Sequence, residues 1–194
     1  MAVLASTIAL CSAFARSAAA STDAAVPAID AMCATSPADL AHPISTFVAI
    51  FDGRAGDGAW QRADPASLNR IAHDPNIYSE TAHVWPQATG VVVVDIVADS
   101  LDFGSRTTYC FRASGTLARA TETSAGTTNA DRETRYLDEH GIIVARSSHI
   151  SLLTPHGAAS PSPDVKPAKI ELYPAMSALP FAHLLATHDA TSAR

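Results

Sequence analysis

The chain has 194 residues, 47% hydrophobic and 16% charged, with 19 acidic against 13 basic side chains and a net charge of −6. An acidic chain without a basic run has no electrostatic footprint for nucleic acid or an anionic membrane. Its length fits one domain with a buried core, and four Tyr and two Trp offer no obvious carbohydrate-stacking surface.

Residues 1–20 are apolar and small and end in Ala18-x-Ala20, as a secretory signal peptide does. No Lys or Arg precedes the apolar run, and Ser6, Thr7, Ser12 and Arg16 interrupt it. A spanning helix needs about 20 continuous apolar residues, so no membrane span is expected. Cys11 does not mark a lipoprotein, because Leu10 stands where a small residue is wanted. The expectation is export to a periplasmic or secreted location, with cleavage after Ala20.

Residues 21–36, rich in Ala, Ser and Thr, read as a flexible lead with a turn near Cys33. A single α+β domain is expected over 37–186, with a frayed tail at 187–194. Ser36-Pro37-Ala38-Asp39 carries helix-start chemistry. Ile44, Phe47, Val48 and Phe51 follow at i, i+3, i+4 and i+7, which predicts a helix stopped by Gly53. The Gly- and Asp-rich stretch 52–58 lacks the alternating acids and closing Glu of a calcium loop and reads as a surface loop. Asp64-Pro65 starts a second short helix, with Leu68, Ile71 and Ala72 on one side and Asp74-Pro75 ending it.

From residue 90 the pattern turns to strand. Val92, Val94, Ile96 and Ala98 share one face, and Val91, Val93, Asp95 and Val97 the other, so this strand is central and covered on both sides. An internal echo follows: residues 106–119 recur in pattern as 132–145. Arg106 answers Arg132, Thr108 answers Thr134, Gly115 answers Gly141, and Phe111, Leu117 and Ala118 answer Leu137, Ile143 and Val144. Each copy is a strand, a turn closing on Gly and a returning strand, and two such hairpins make an antiparallel meander. Its last strand extends through Ser147–Leu153. Residues 155–168 are Pro-rich and read as a loop, Ile170–Tyr173 as a short strand, and Ser177 as the cap of a final helix with Leu179, Phe181, Leu184 and Leu185. The fold expected is α+β: short N-terminal helices packed on a curved antiparallel sheet of about five or six strands.

Candidate chemistry is sparse. Asp95 interrupts an apolar strand; burial would raise its pKa and prepare it for acid–base work, whereas Arg106 or Arg112 on a neighbouring strand would make it structural. Glu80, Asp99 and Asp102 are acids nearby in sequence but at no fixed separation for a carboxylate pair. His73, His83, His140, His149 and His156 show no metal-ligand spacing, so no metal and no cofactor is expected, and His140 reads as a turn residue before Gly141. There is no nucleophile elbow. Ser147 and His149 share a strand face, which makes His149 the second acid–base candidate. Arg106, Arg112, Arg119, Arg132, Arg135 and Arg146 are spread over four strands, either as a cationic patch for a carboxylate or phosphate or as cross-strand partners of Glu122, Asp131, Glu133 and Asp138. Cys33 and Cys110 remain after cleavage. In an oxidising compartment they are expected to pair; as free thiols each would pack as a small hydrophobe.

The runs TYCFRASGTLARA and RYLDEHGIIVARSSHI, with the ending YPAMSALPFAHLL, resemble small predicted-secreted bacterial proteins with repeated YxFxxxGxL-type hairpins. The resemblance covers roughly residues 45–186 and implies a sheet; the group has no known function, so no site residue is carried over. This chain differs from the pattern at Cys110, where an aromatic is usual. The function expected is an exported, non-catalytic binding or interaction module for an unknown small molecule or protein. The alternatives are a small periplasmic enzyme using Asp95 or His149 in a sheet–helix cleft, and a structural partner in an envelope assembly.

Overall fold

Alternating runs of β-branched, aromatic and threonine residues build one antiparallel sheet. The computed structural model describes residues 22–35, 37, 40, 43–51, 58–73, 77–99, 104–125, 129–152 and 170–185. The strands are β1 (Ser45–Phe51), β2 (Gln61–Arg62), β3 (Tyr78–Pro86), β4 (Val92–Asp99), β5 (Gly104–Phe111), β6 (Leu117–Ala125), β7 (Asn129–Leu137) and β8 (Ile143–Leu152). They lie in the order β2-β1-β3-β4-β5-β6-β7-β8, so the chain from β3 onward is an uninterrupted meander. The α+β class and the echoed hairpins are therefore present, with eight strands where five or six were expected.

The hairpin turns are built alike. In 87–91, 112–116 and 138–142 the first residue's N–H bonds the carbonyl of the fifth, and the N–H of Gly90, Gly115 or Gly141 bonds back to the first. All three glycines have positive φ. The repeat thus has a third member, Gln87–Val91, that the echo in sequence does not show. In the last turn the Asp138 carboxylate also accepts from the His140 and Ile142 N–H groups at 2.8 and 2.9 Å, which holds its pKa below the usual range. Register shifts at Cys110/Phe111 and Tyr136/Leu137 mark a bulge beside each of the last two turns.

The two faces of the sheet are covered differently. One carries the larger core, including Phe47, Val84, Val94, Phe111 and Leu117, and is capped by the C-terminal segment through Ile170, Leu179 and Phe181. Phe181 stacks on Phe47 at 4.9 Å and meets Trp60 at the same distance. The other face receives α1 (Thr22–Met32), whose Ile29, with Cys33 just beyond it, packs on Val91, Cys110 and Ala118. Helix α2 (Pro65–His73) follows edge strand β2, and Ser67 is its buried side chain among those described. Asp64 caps it, accepting from the Ser67 N–H at 2.8 Å while its own N–H bonds the Ser67 hydroxyl.

Four expectations are corrected. Residues 45–51 are strand β1, not a helix, because a continuous apolar run satisfies both periods and pairing with β3 on one side and β2 on the other decides it. The lead is not flexible throughout: 22–32 is helical despite Pro27, since Ile29 and Cys33 are one turn apart and both are buried on the sheet. Ile170–Tyr173 joins no ladder and is not a strand; Pro174 accepts from the Leu117 N–H, Met176 donates to Gly115, and Thr116 and Ala175 form an isolated bridge. The final helix is split into a 3-10 turn, Met176–Ala178, and a short α3, Ala182–Leu185. Residues 1–20, the loop 52–57, the Pro-rich 155–168 and the tail beyond 185 lie outside the described residues.

Candidate functional site

Register and alternation put a polar stripe across the face that α1 covers. Thr46, His83, Asp95, Thr108, Thr121, Thr134 and Ser147 are successive cross-strand neighbours from β1 to β8. Side chains opposite each other on one face stand about 5 Å apart, and three of these pairs are in hydrogen-bonding contact. Thr46 Oγ1 lies 3.2 Å from His83 Nδ1, Thr108 donates to Asp95 Oδ1 at 2.8 Å, and the Thr121 and Thr134 hydroxyls are 3.2 Å apart. On one side of the stripe Val97, Arg106, Thr123, Arg132 and His149 share a rung; on the other, Val93, Cys110, Arg119 and Tyr136 do.

Asp95 is fully buried and sits within this stripe. Arg106 Nε donates to its Oδ2 at 2.7 Å and Thr108 holds its Oδ1, so both oxygens are engaged. Of the two structural partners anticipated in sequence, Arg106 and Arg112, Arg106 is the one observed. His83 is the neighbour that sequence reasoning missed. Burial lowers its pKa, the Asp95 carboxylate pulls it back up, and the Arg106 guanidinium pushes it down.

The end of α1 roofs part of the stripe. Cys33 is disulfide-bonded to Cys110 with the Cα atoms 6.0 Å apart, closing a loop across 77 positions. Arg119 reaches up from β6 to Asp30 Oδ1 at 2.7 Å and to the Cys33 carbonyl at 2.6 Å, and the Tyr136 hydroxyl bonds Asp30 Oδ2 at 3.3 Å. Burial and the nearby Asp30 raise the Tyr136 pKa, so this phenol stays protonated. Beneath the roof lies a cleft of about 310 Å³ lined by Cys33, Ala34, Thr35, Pro37, Thr108, Arg119, Thr121 and Arg132. Its sheet side is hydroxyl and guanidinium, from Thr108, Arg119, Thr121 and Arg132, and its other side is Cys33, Ala34, Thr35 and Pro37.

The other sequence candidates fall elsewhere. His149 shares the face but stands on β8, four strands from Asp95, about 19 Å at ordinary strand spacing. Its Nε2 contacts Ser151 Oγ at 3.1 Å. Glu80 accepts from Tyr78, and Asp102 and His156 are outside the described residues. The six arginines divide. Arg106, Arg119 and Arg132 share the α1 face; Arg135 is on the opposite face, bonded to Glu133 at 2.6 Å, with exposed Arg146 beside it in register. Arg112 caps the Leu117 and Leu137 carbonyls near the turns. Among the described residues no group of three His, Cys, Asp or Glu could hold a metal ion. Nor is any described helix long and apolar enough to cross a membrane.

The signal for the cleft was present in the echo. Arg-x-Thr occurs at 106–108 and 132–134, and β6, running the other way between them, carries Arg119, Thr121 and Thr123 at alternate positions. No protein-family model, curated protein or solved structure matches the chain.

Proposed function

We propose that this chain is an exported, non-catalytic binding module that takes a small molecule in the cleft between the end of α1 and the β5–β7 face. The observation that carries the reading is the cleft itself, about 310 Å³ with guanidinium and hydroxyl groups below and apolar atoms beside them. Polar groups converging on a concavity of this size are what orients a bound ligand. The Cys33–Cys110 bond supports export, since such a bond persists in an oxidising compartment.

A catalytic reading has less behind it. Asp95 and His149 do not converge, both Asp95 oxygens are engaged, and the sulfur in the cleft wall is tied up in a disulfide. Protein recovered from its native host, denatured and analysed by mass spectrometry for released small molecules, tests the binding reading. A bound compound is expected from the natural chain and not from Ala34→Trp, a substitution at an exposed position that fills the cleft. The same compound released by both chains, or none by either, would overturn the assignment.

A further inference from the structure

We propose that the cleft selects a small organic oxyanion, a carboxylate or a phosphate ester, and that Arg132 is the group that recognises it. This deepens the binding reading above and rests on it. Among the described residues, charges around the cleft cancel in pairs except at one place. Arg106 is paired with Asp95 and Arg119 with Asp30, each at 2.7 Å. Arg132 lines the cleft and, among the described residues, makes no hydrogen bond or ion pair. A guanidinium facing the cleft with no charged partner among the described residues favours an anion there and opposes a cation, against the overall negative charge of the chain.

The neutral groups agree with that sign. The Thr121 and Thr134 hydroxyls share one hydrogen between them, which leaves the pair one further hydrogen to donate. Thr108 has committed its hydrogen to Asp95. Arg119 is already oriented by Asp30 and by the Cys33 carbonyl, so its remaining N–H groups are pre-positioned on the far side of Thr121 from Arg132. A planar guanidinium fork matches the two oxygens of a carboxylate or phosphate. Ala34, Pro37 and the disulfide give the ligand's carbon skeleton something to lie against. The volume is at the low end of the range of about 300–1,000 Å³ for ligand pockets, which suits a compound of one ring rather than a nucleotide.

Titration of the full, disulfide-intact chain followed by amide NMR tests this with four probes at matched ionic strength: benzoate, phenyl phosphate, benzamide and benzylamine. Saturable shifts at the amides of Thr108, Thr121 and Arg132 are expected with benzoate or phenyl phosphate, the tighter of the two telling carboxylate from phosphate. Benzamide should bind at least about tenfold more weakly, as loss of charge-assisted hydrogen bonds predicts, and benzylamine should not bind. Arg132→Gln should weaken the anion at least about tenfold and Arg132→Lys, which keeps charge without the fork, by less. Arg146→Gln, on the other face, should leave affinity unchanged. Benzamide saturating the same amides as tightly as the anions, or Arg132→Gln and Arg132→Lys both binding as the natural chain does, would overturn the oxyanion assignment and leave the binding reading standing. No saturable shift with any probe would overturn both.

Discussion

At the scale of single residues, the turn glycines and a pair of acids show opposite kinds of cost. Gly115 and Gly141 sit at φ of 83° and 78°, and nothing lies within 4 Å of where a Cβ would be placed. The penalty for a side chain there is therefore one of backbone conformation alone. Gly115→Ala and Gly141→Ala are each expected to lose about 1 kcal/mol or more in urea melts, against less than about 0.5 kcal/mol for Ser114→Ala or His140→Ala at the exposed neighbouring positions. Glu122 and Glu133 face each other across β6 and β7, and both are buried. Burial first, and then the Glu133 charge, raises the Glu122 pKa above its ordinary 4.5, with Arg135 opposing. A carboxyl with a raised folded pKa binds its proton more tightly when folded, so its contribution is fully present below the unfolded pKa and is lost as pH rises through the folded one. Glu122→Gln is expected to gain up to about 1 kcal/mol at pH 7, the size of a like-charge cross-strand pair, and nothing at pH 4. Urea midpoints at the two pH values check it, and an equal gain at both would contradict the electrostatic account.

At the scale of elements, α1 is held by a few strong contacts rather than by a large apolar face. Ile29 and Met32, with Cys33 just beyond the helix, pack on the sheet, and Asp30 supplies the ion pair to Arg119. Pro27 removes a helical hydrogen bond at mid-length, so the helix has little stability of its own. The disulfide is accordingly the main anchor. The double change Cys33→Ser with Cys110→Ser is expected to lose about 2–4 kcal/mol, and the chain-entropy treatment puts the ceiling for so long a loop near 4–5 kcal/mol. Hydrogen exchange should rise over 22–33 while the β5–β6 ladder stays protected. Unchanged exchange in α1 would mean that Ile29 and Asp30 suffice. Because Cys33, Ala34, Thr35 and Pro37 line the cleft, the same variant should also lose ligand.

For the whole molecule, the disulfide joins a residue just after the proposed leader to a strand in the middle of the sheet. Cleavage after Ala20 leaves α1 intact, starting at Thr22. N-terminal sequencing of protein from the native host is expected to read Ser21-Thr22-Asp23, and an intact Met1 in the cytoplasmic fraction would overturn export. The meander was legible because local signals repeat: Gly115 and Gly141 fix turns, and alternation between them fixes faces. The third turn, at Gly90, was hidden because β3, with Thr81, His83 and Trp85 on one face, does not repeat the Arg-x-Thr pattern that made the echo visible. Strand β1 was misread for a related reason. Phe47, Val48, Ala49 and Ile50 are buried together, and a run that is apolar on every side carries no period.

What the sequence determined by itself was the class of fold and the echoed hairpins; it also offered the Cys33–Cys110 pairing, against free thiols, and Arg106 or Arg112 as partners for Asp95. Each depends on neighbours in the chain, on strand alternation or on a shortage of alternatives. What only the tertiary structure decided was the order of strands around β1, the docking of α1 and the assembly of the cleft. Arg119 meets Asp30 across 89 positions, and Thr108, Thr121 and Thr134 come into line only when three strands pair in one register. Such meetings are set by which surfaces bury one another, a property of the packed sheet that no window of sequence contains.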